Sequence, residues 1–272
     1  MLLPEAEPLI STGLQPGVES MSRRPAVLTA SCAGAVENSG VGPITRLKPG
    51  ANEKADNWLI WQLADSAFPT GGFAHSGGLE AAYQHQAVRG GAELAEFLRA
   101  ALTQLIHASL PFVHEAFKGE RDFSEIDRTC DAFLSNHVAN RASRLQGQAF
   151  LATIERTFPS PALCQFRAAV SELPLHGAPV FGRVASLLAI DAISTSRLFV
   201  FMQLRGWISA AVRLNIVGPL EGQKVQCNLS EAAERVASGF GAFPLEDVAQ
   251  TAPLLDLWQG TQDRLYSRLF QT

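Results

Sequence analysis

Residues 94–106 read LAEFLRAALTQLI. Leu94, Phe97, Leu98, Ala101, Leu102, Leu105 and Ile106 fall at i, i+3, i+4, i+7, i+8, i+11 and i+12, the single apolar face of an amphipathic helix. Pro111 is expected to end it. The same period continues through the chain: 123–134, 139–158 stopped by Pro159 and Pro161, 162–173 ended by Pro174, a pair at 180–190 and 195–217 broken by Gly218-Pro219, then 229–240 and 253–270. No run alternates polar and apolar residues as a strand would, and no 30–50-residue repeat is visible. About ten helices joined by short Pro/Gly connections predict an all-α single domain over residues 55–272.

Composition narrows the function classes. Of 272 residues, 47% are hydrophobic and 18% charged, so much of the folded surface must pack internally or against partners. A formal charge of −4 argues against nucleic-acid binding, which needs a basic footprint. No apolar run reaches the ~18 residues of a membrane span; the richest, Leu198 to Leu214, is interrupted by Gln203, Arg205 and Arg213. The widely spaced Cys32, Cys130, Cys164 and Cys227 form no C-x-x-C pair, as expected for reduced thiols in a cytoplasmic protein. The six histidines show no metal-ligand spacing, so no preformed metal site is legible, and one could be built only by residues converging from distant segments. Residues 1–54 carry Pro4, Pro8, Pro16, Pro25, Pro43 and Pro49 among many Gly and Ser, a composition that predicts a disordered tail. Arg23-Arg24 is followed by too short an apolar run for a secretion signal, and Met21 is an alternative start.

Residues 57–80, NWLIWQLADSAFPTGGFAHSGGLE, carry the most specific signal. Trp58, Leu59, Trp61, Gln62, Leu63 and Ala64 read as a short buried helix, which Pro69, Gly71 and Gly72 break. Ser76 is an N-cap candidate for a second helix, with Glu80 near its positive end. The Gly71-Gly72 turn could cradle an anion, but it lacks the lysine and preceding strand of a P-loop, and a tight helix–helix joint is the simpler reading. Pro69, Gly71, Phe73, Ser76, Gly78, Leu79 and Glu80 match the Pro-x-Gly-x-Phe-x-x-Ser-x-Gly-Leu-Glu signature of the UreF family of urease accessory proteins, which the chain resembles. Thr70, Gly72 and His75 match a variant found in part of that family. HGAPVFG at 176–182, AAVRL at 210–214 with Gly218 and Gly222-Gln223, and the ending Arg264, Leu265, Ser267, Arg268, Leu269 and Phe270 resemble further UreF segments in the same order. The chain departs from the family pattern at Asn215-Ile216-Val217 and in its long N-terminal tail.

The resemblance implies an all-α urease maturation protein that is not an enzyme. It also implies a complex with the UreD/UreH accessory protein and the GTPase UreG, which delivers nickel to apo-urease. Nickel and GTP are then handled by the assembly, with no cofactor intrinsic to this chain. UreF proteins are dimers, so the polar stripe Arg205, Ser209 and Arg213, four residues apart on an otherwise apolar helix, becomes a dimer-interface candidate; a solvent face or an internal ion pair are the alternatives. Arg264, Leu265, Tyr266, Leu269 and Phe270 would dock on a partner or on their own core, and the resemblance favours the partner. The turn Pro69, Gly71, Gly72, Phe73, His75, Ser76, Gly78, Leu79 and Glu80 would shape a partner-facing surface. His75 and His176 are expected to be hydrogen-bonded structure rather than ligands. The rival class is an all-α hydrolase or transferase using the Gly71-Gly72 turn as an anion site with His75 as base.

Overall fold

A computed structural model describes residues 53–272, with side chains from residue 57; the expected disordered tail falls almost wholly outside the described residues. Among them lie twelve α-helices and three single 3-10 turns, with no strand. In order the helices are α1 (Glu53–Ala64), α2 (Leu79–Gln84), α3 (Gly91–Ala108), α4 (Leu110–Lys118), α5 (Phe123–Phe133), α6 (His137–Thr157), α7 (Pro161–Ala169), α8 (Gly177–Leu187), α9 (Ala192–Arg213), α10 (Pro219–Asn228), α11 (Ser230–Ala237) and α12 (Pro253–Thr261). The all-α expectation holds. Among the described residues, no helix is long and apolar enough to cross a membrane.

The opening periodicity is realised in α3. Leu94, Phe97, Leu98, Ala101, Leu102 and Leu105 are all buried, and together they join one main core. Against that core runs α9, the longest of the described helices, started by the Asp191 carboxylate, which accepts the Ser194 N–H at 2.9 Å in N-cap geometry. It packs on α1, α3, α4, α8, α10 and α11. Two glycines let helices approach closely. A Cβ on Gly182 of α8 would lie 2.0 Å from the Val113 carbonyl of α4, and one on Gly147 of α6 would lie 2.0 Å from the Leu175 carbonyl leading into α8. Only glycine permits these backbone contacts.

The chain turns into α8 under a buried clamp. Asp127 of α5 is fully buried, and its carboxylate accepts the N–H groups of Leu175 at 2.8 Å and His176 at 2.7 Å. These donors precede the helix and would otherwise be orphaned, so the acid serves as a cap delivered from another helix. It also holds Leu175 at φ 62°, a conformation an L-residue rarely adopts unaided.

Several sequence expectations are corrected. Trp58 and Trp61 are 71% and 59% exposed, not buried; α1 turns Leu63 inward, and the two indoles meet edge-on with centroids 5.2 Å apart. Pro111 does not merely end α3. It sits in the first turn of α4, just as Pro219 opens α10, because proline's missing N–H is an orphan there in any case. The expected helix 253–270 stops at Thr261; a 3-10 turn over Gln262–Arg264 follows, and 265–272 are irregular. Ser76 is not the N-cap residue of α2, which is Gly78 at φ 89°, yet its Oγ still accepts the Glu80 N–H at 3.4 Å.

Candidate functional site

The signature turn folds onto the end of the chain. Gly71 adopts φ 78°, and a Cβ there would come within 3.0 Å of Ala149 Cβ on α6. Thr153 Oγ1 donates to the Pro69 carbonyl at 2.9 Å. Gly77 and Gly78 also take positive φ; a Cβ on the first would strike the Trp207 indole, and one on the second would press on the α12 backbone at Leu255 and Gln259. The three glycines are required by close approach as well as by backbone conformation.

Residues 269–272 lie along this turn. Ser76 N–H donates to the Thr272 carbonyl at 2.7 Å and Gln271 N–H to the Ala74 carbonyl at 2.9 Å. His75 Nδ1 hydrogen-bonds the Thr272 hydroxyl, and Gln84 Nε2 donates to the Ser267 carbonyl at 2.8 Å. The centre of the contact is Glu80, only 2% exposed. Its carboxylate accepts three donors: Gln262 Nε2 at 2.5 Å, Leu269 N–H at 2.5 Å and Phe270 N–H at 3.2 Å. A buried carboxylate is tolerable when its lone pairs are filled in this way.

Arg213 closes the junction from α9. Its guanidinium carbon lies 3.8 Å from the centroid of Phe73 and 4.2 Å from that of Phe270, and Nη1 donates to the Phe73 carbonyl at 2.5 Å. The cation is sandwiched between two rings; burial lowers its pKa, and the nearby Glu80 opposes that shift. Eight residues earlier on the same helix, about two turns away, Arg205 donates to the Ala64 carbonyl at the end of α1 and sits 5.9 Å from the Phe201 centroid. Neither arginine enters an internal ion pair among the described residues. Both act within the chain, which accounts for two thirds of the polar stripe without a subunit contact.

A cleft of about 600 Å³ lies beside the junction. Gly71, Gly72, Phe73, His75, Arg205, Ser209, Arg213 and Phe270 line it, so the turn, the polar stripe and the last aromatic residue meet there. Arg264, Leu265, Tyr266 and Leu269 do not. Asp263 instead ties their segment to α6, accepting from Arg141 at 2.8 Å and Arg268 at 3.1 Å, with His137 Nε2 3.3 Å away. Of the expected C-terminal docking residues, Phe270 is buried in its own domain at 3% exposure, whereas Tyr266 and Leu269 stand out with Phe73. Packing of Phe270 on its own core corrects the view that this residue waits for a partner.

The two histidines of the matched segments are both held by hydrogen bonds. Burial, then Arg141, lowers the His75 pKa to about 4, so the ring is neutral at pH 7. His176 is fully buried, with Nε2 3.0 Å from Asp131 Oδ1 and Nδ1 3.1 Å from Ser143 Oγ. Among the described residues no cluster of three His, Cys, Asp or Glu could hold a metal ion. Gln262, Asp127 and Asp263 were not anticipated. Each acts on a partner 45 or more residues away in sequence, and no local pattern marks such a pairing.

The described residues form an all-helical domain in which the signature turn and the end of the chain meet in one hydrogen-bonded, partly apolar junction. The chain belongs to the UreF family, whose model matches residues 88–230. It is 38% identical over 221 residues to urease accessory protein F of Oryza sativa subsp. indica, covering 79% of this chain and 85% of that one. It is also 38% identical over 219 residues to the protein of that name from Arabidopsis thaliana, covering 78% and 91%. A UreF-like protein of Schizosaccharomyces pombe is 29% identical over 237 residues, 81% and 99% of the two chains.

Proposed function

We propose that the chain is a urease accessory protein, a scaffold that binds a UreD/UreH-type protein and the GTPase UreG and enables GTP-dependent nickel insertion into apo-urease. Nickel is cargo of that assembly and GTP the ligand of its GTPase; the scaffold supplies surface. It works in the cytoplasm and as a homodimer. The observation that carries the reading is the junction itself. Phe73, Tyr266 and Leu269, 70%, 105% and 52% exposed, are held outward by a backbone pinned through Glu80, Arg213 and the Ala74–Gln271 hydrogen bond. Large apolar groups on an ordered frame are what a partner recognises, because little entropy is lost on docking. Ser209, which lines the cleft, remains the stripe residue available to a second copy.

The test is co-purification with co-expressed UreD/UreH-type and UreG-type proteins, comparing wild type with Tyr266→Asp/Leu269→Asp. Both side chains are exposed, so the variant should fold normally and lose the complex. A fully retained complex would remove this surface from the interface.

A further inference from the structure

Outside the junction, three polar side chains from three helical segments form a continuous relay. Asp131 of α5 lies 3.0 Å from His176 Nε2 through Oδ1, and Asn140 Nδ2 steadies the same oxygen at 2.9 Å. The other ring nitrogen, Nδ1, lies 3.1 Å from Ser143 Oγ on α6. Since the carboxylate can only accept, Nε2 carries the proton and Nδ1 is left as the acceptor for the Ser143 hydroxyl. Burial lowers the His176 pKa despite Asp131 and Asp127, so the imidazole is neutral at pH 7 and able to take a proton. Ser143 Oγ also accepts the Gly177 N–H at 3.1 Å, at the first residue of the eleven-residue α8, where the helix dipole favours negative charge on that oxygen. Unlike the buried ring, Ser143 is half-buried and lines the 600 Å³ cleft together with Gly177, Leu134, Phe150 and Phe181.

We propose that Ser143 is a nucleophile activated by His176, with Asp131 as its positioning residue, giving this chain a secondary hydrolase activity on small uncharged carboxylic esters that enter the cleft. The order carboxylate, imidazole, hydroxyl is the arrangement that activates a serine in unrelated folds. Ser143 Oγ attacks the ester carbonyl carbon as its proton passes to His176 Nδ1. The tetrahedral intermediate then collapses, the C–O bond to the leaving alcohol breaks, and that alcohol takes the proton from Nδ1. Water, deprotonated by the same nitrogen, attacks the acyl-serine; the acid is released and Ser143 recovers its proton. The apolar wall of the cleft suits an uncharged acyl group. This activity is independent of the maturation role and differs from an anion site at Gly71-Gly72, since His75 is engaged by Thr272.

The test uses the full chain with a biotinylated fluorophosphonate and with p-nitrophenyl acetate. The proposal expects one phosphonyl group per chain, mapped to Ser143 by tandem mass spectrometry, and slow ester turnover. Asp131→Asn, at a half-exposed side chain, should cut the labelling rate at least tenfold with helicity unchanged, and Ser143→Ala should abolish labelling. Should Ser143→Ala fail to fold, mapping on the wild type and the Asp131→Asn rate decide the matter. Absence of label on Ser143 in the native chain, or an Asp131→Asn rate equal to wild type, would overturn the proposal.

Discussion

Replacing Glu80 with alanine should release the end of the chain while leaving the bundle standing. The wild-type carboxylate accepts from Gln262 Nε2, Leu269 N–H and Phe270 N–H in a site only 2% exposed. Hydrogen bonds to a charged acceptor contribute roughly 1.5–3 kcal/mol each, and their losses are not additive because water re-solvates freed donors near a surface. About 3 kcal/mol is therefore expected for the docking of residues 265–272, which raises the open population about a hundredfold. Arg264 and Arg268 are exposed trypsin sites within or beside this segment. Limited trypsinolysis followed by mass spectrometry, with amide exchange at Leu269 and Phe270, should show that rise in Glu80→Ala while core amides keep their protection. Glu80→Gln should be intermediate, since one acceptor oxygen survives and an amide N–H2 replaces the other. Cleavage and exchange at wild-type rates in Glu80→Ala would refute the idea that this carboxylate holds the segment.

Other consequences are as direct. Arg213→Ala removes a cation held between Phe73 and Phe270 and should lower unfolding stability by about 1–3 kcal/mol in denaturant titration, whatever its effect on self-association. Gly182→Ala would place a Cβ 2.0 Å from the Val113 carbonyl; separating α4 from α8 should cost roughly 3 kcal/mol or more, seen as a fall of melting temperature. His114 is 3% exposed; its Nδ1 accepts the Gly241 N–H, so Nε2 carries the proton and donates to Ser196 Oγ, and burial, then Lys118, lowers its pKa to about 4. Its folded value lies below the ordinary 6.5, so the unfolded chain binds the proton first. Stability is therefore complete above pH 6.5 and falls as the pH drops toward 4, by at most about 3 kcal/mol per histidine. Urea midpoints should decline across that window, less steeply in His114→Gln, with His75 and His176, whose pKa values are also lowered by burial, contributing to the remaining slope.

The helical class and most of the core were legible because burial of one helix face imposes a 3.6-residue period on the sequence, as residues 94–106 illustrate. Helix boundaries were less so. Pro111 and Pro219 punctuate the chain, but proline is as much at home in a first turn as beyond a last one, so α4 and α10 were hidden behind their own opening residues. Trp58 and Trp61 look like core because hydropathy carries no information on which face a short helix turns inward. The turn at 69–80 was conspicuous, yet its function as a cradle for 265–272 depends on Glu80 meeting donors about 180 residues away, and Arg213 finding two rings from opposite ends of the domain. The Asp131–His176–Ser143 relay was invisible for the same reason: each member is ordinary in its own helix.

The most direct test is reconstitution. Purified apo-urease, UreD/UreH-type and UreG-type proteins, nickel, bicarbonate and GTP should give active urease when this chain is added. Tyr266→Asp/Leu269→Asp, folded by circular dichroism, should neither co-purify with the partners nor support activation. Full activation by that variant, or none by the wild-type chain despite an intact complex, would contradict the account.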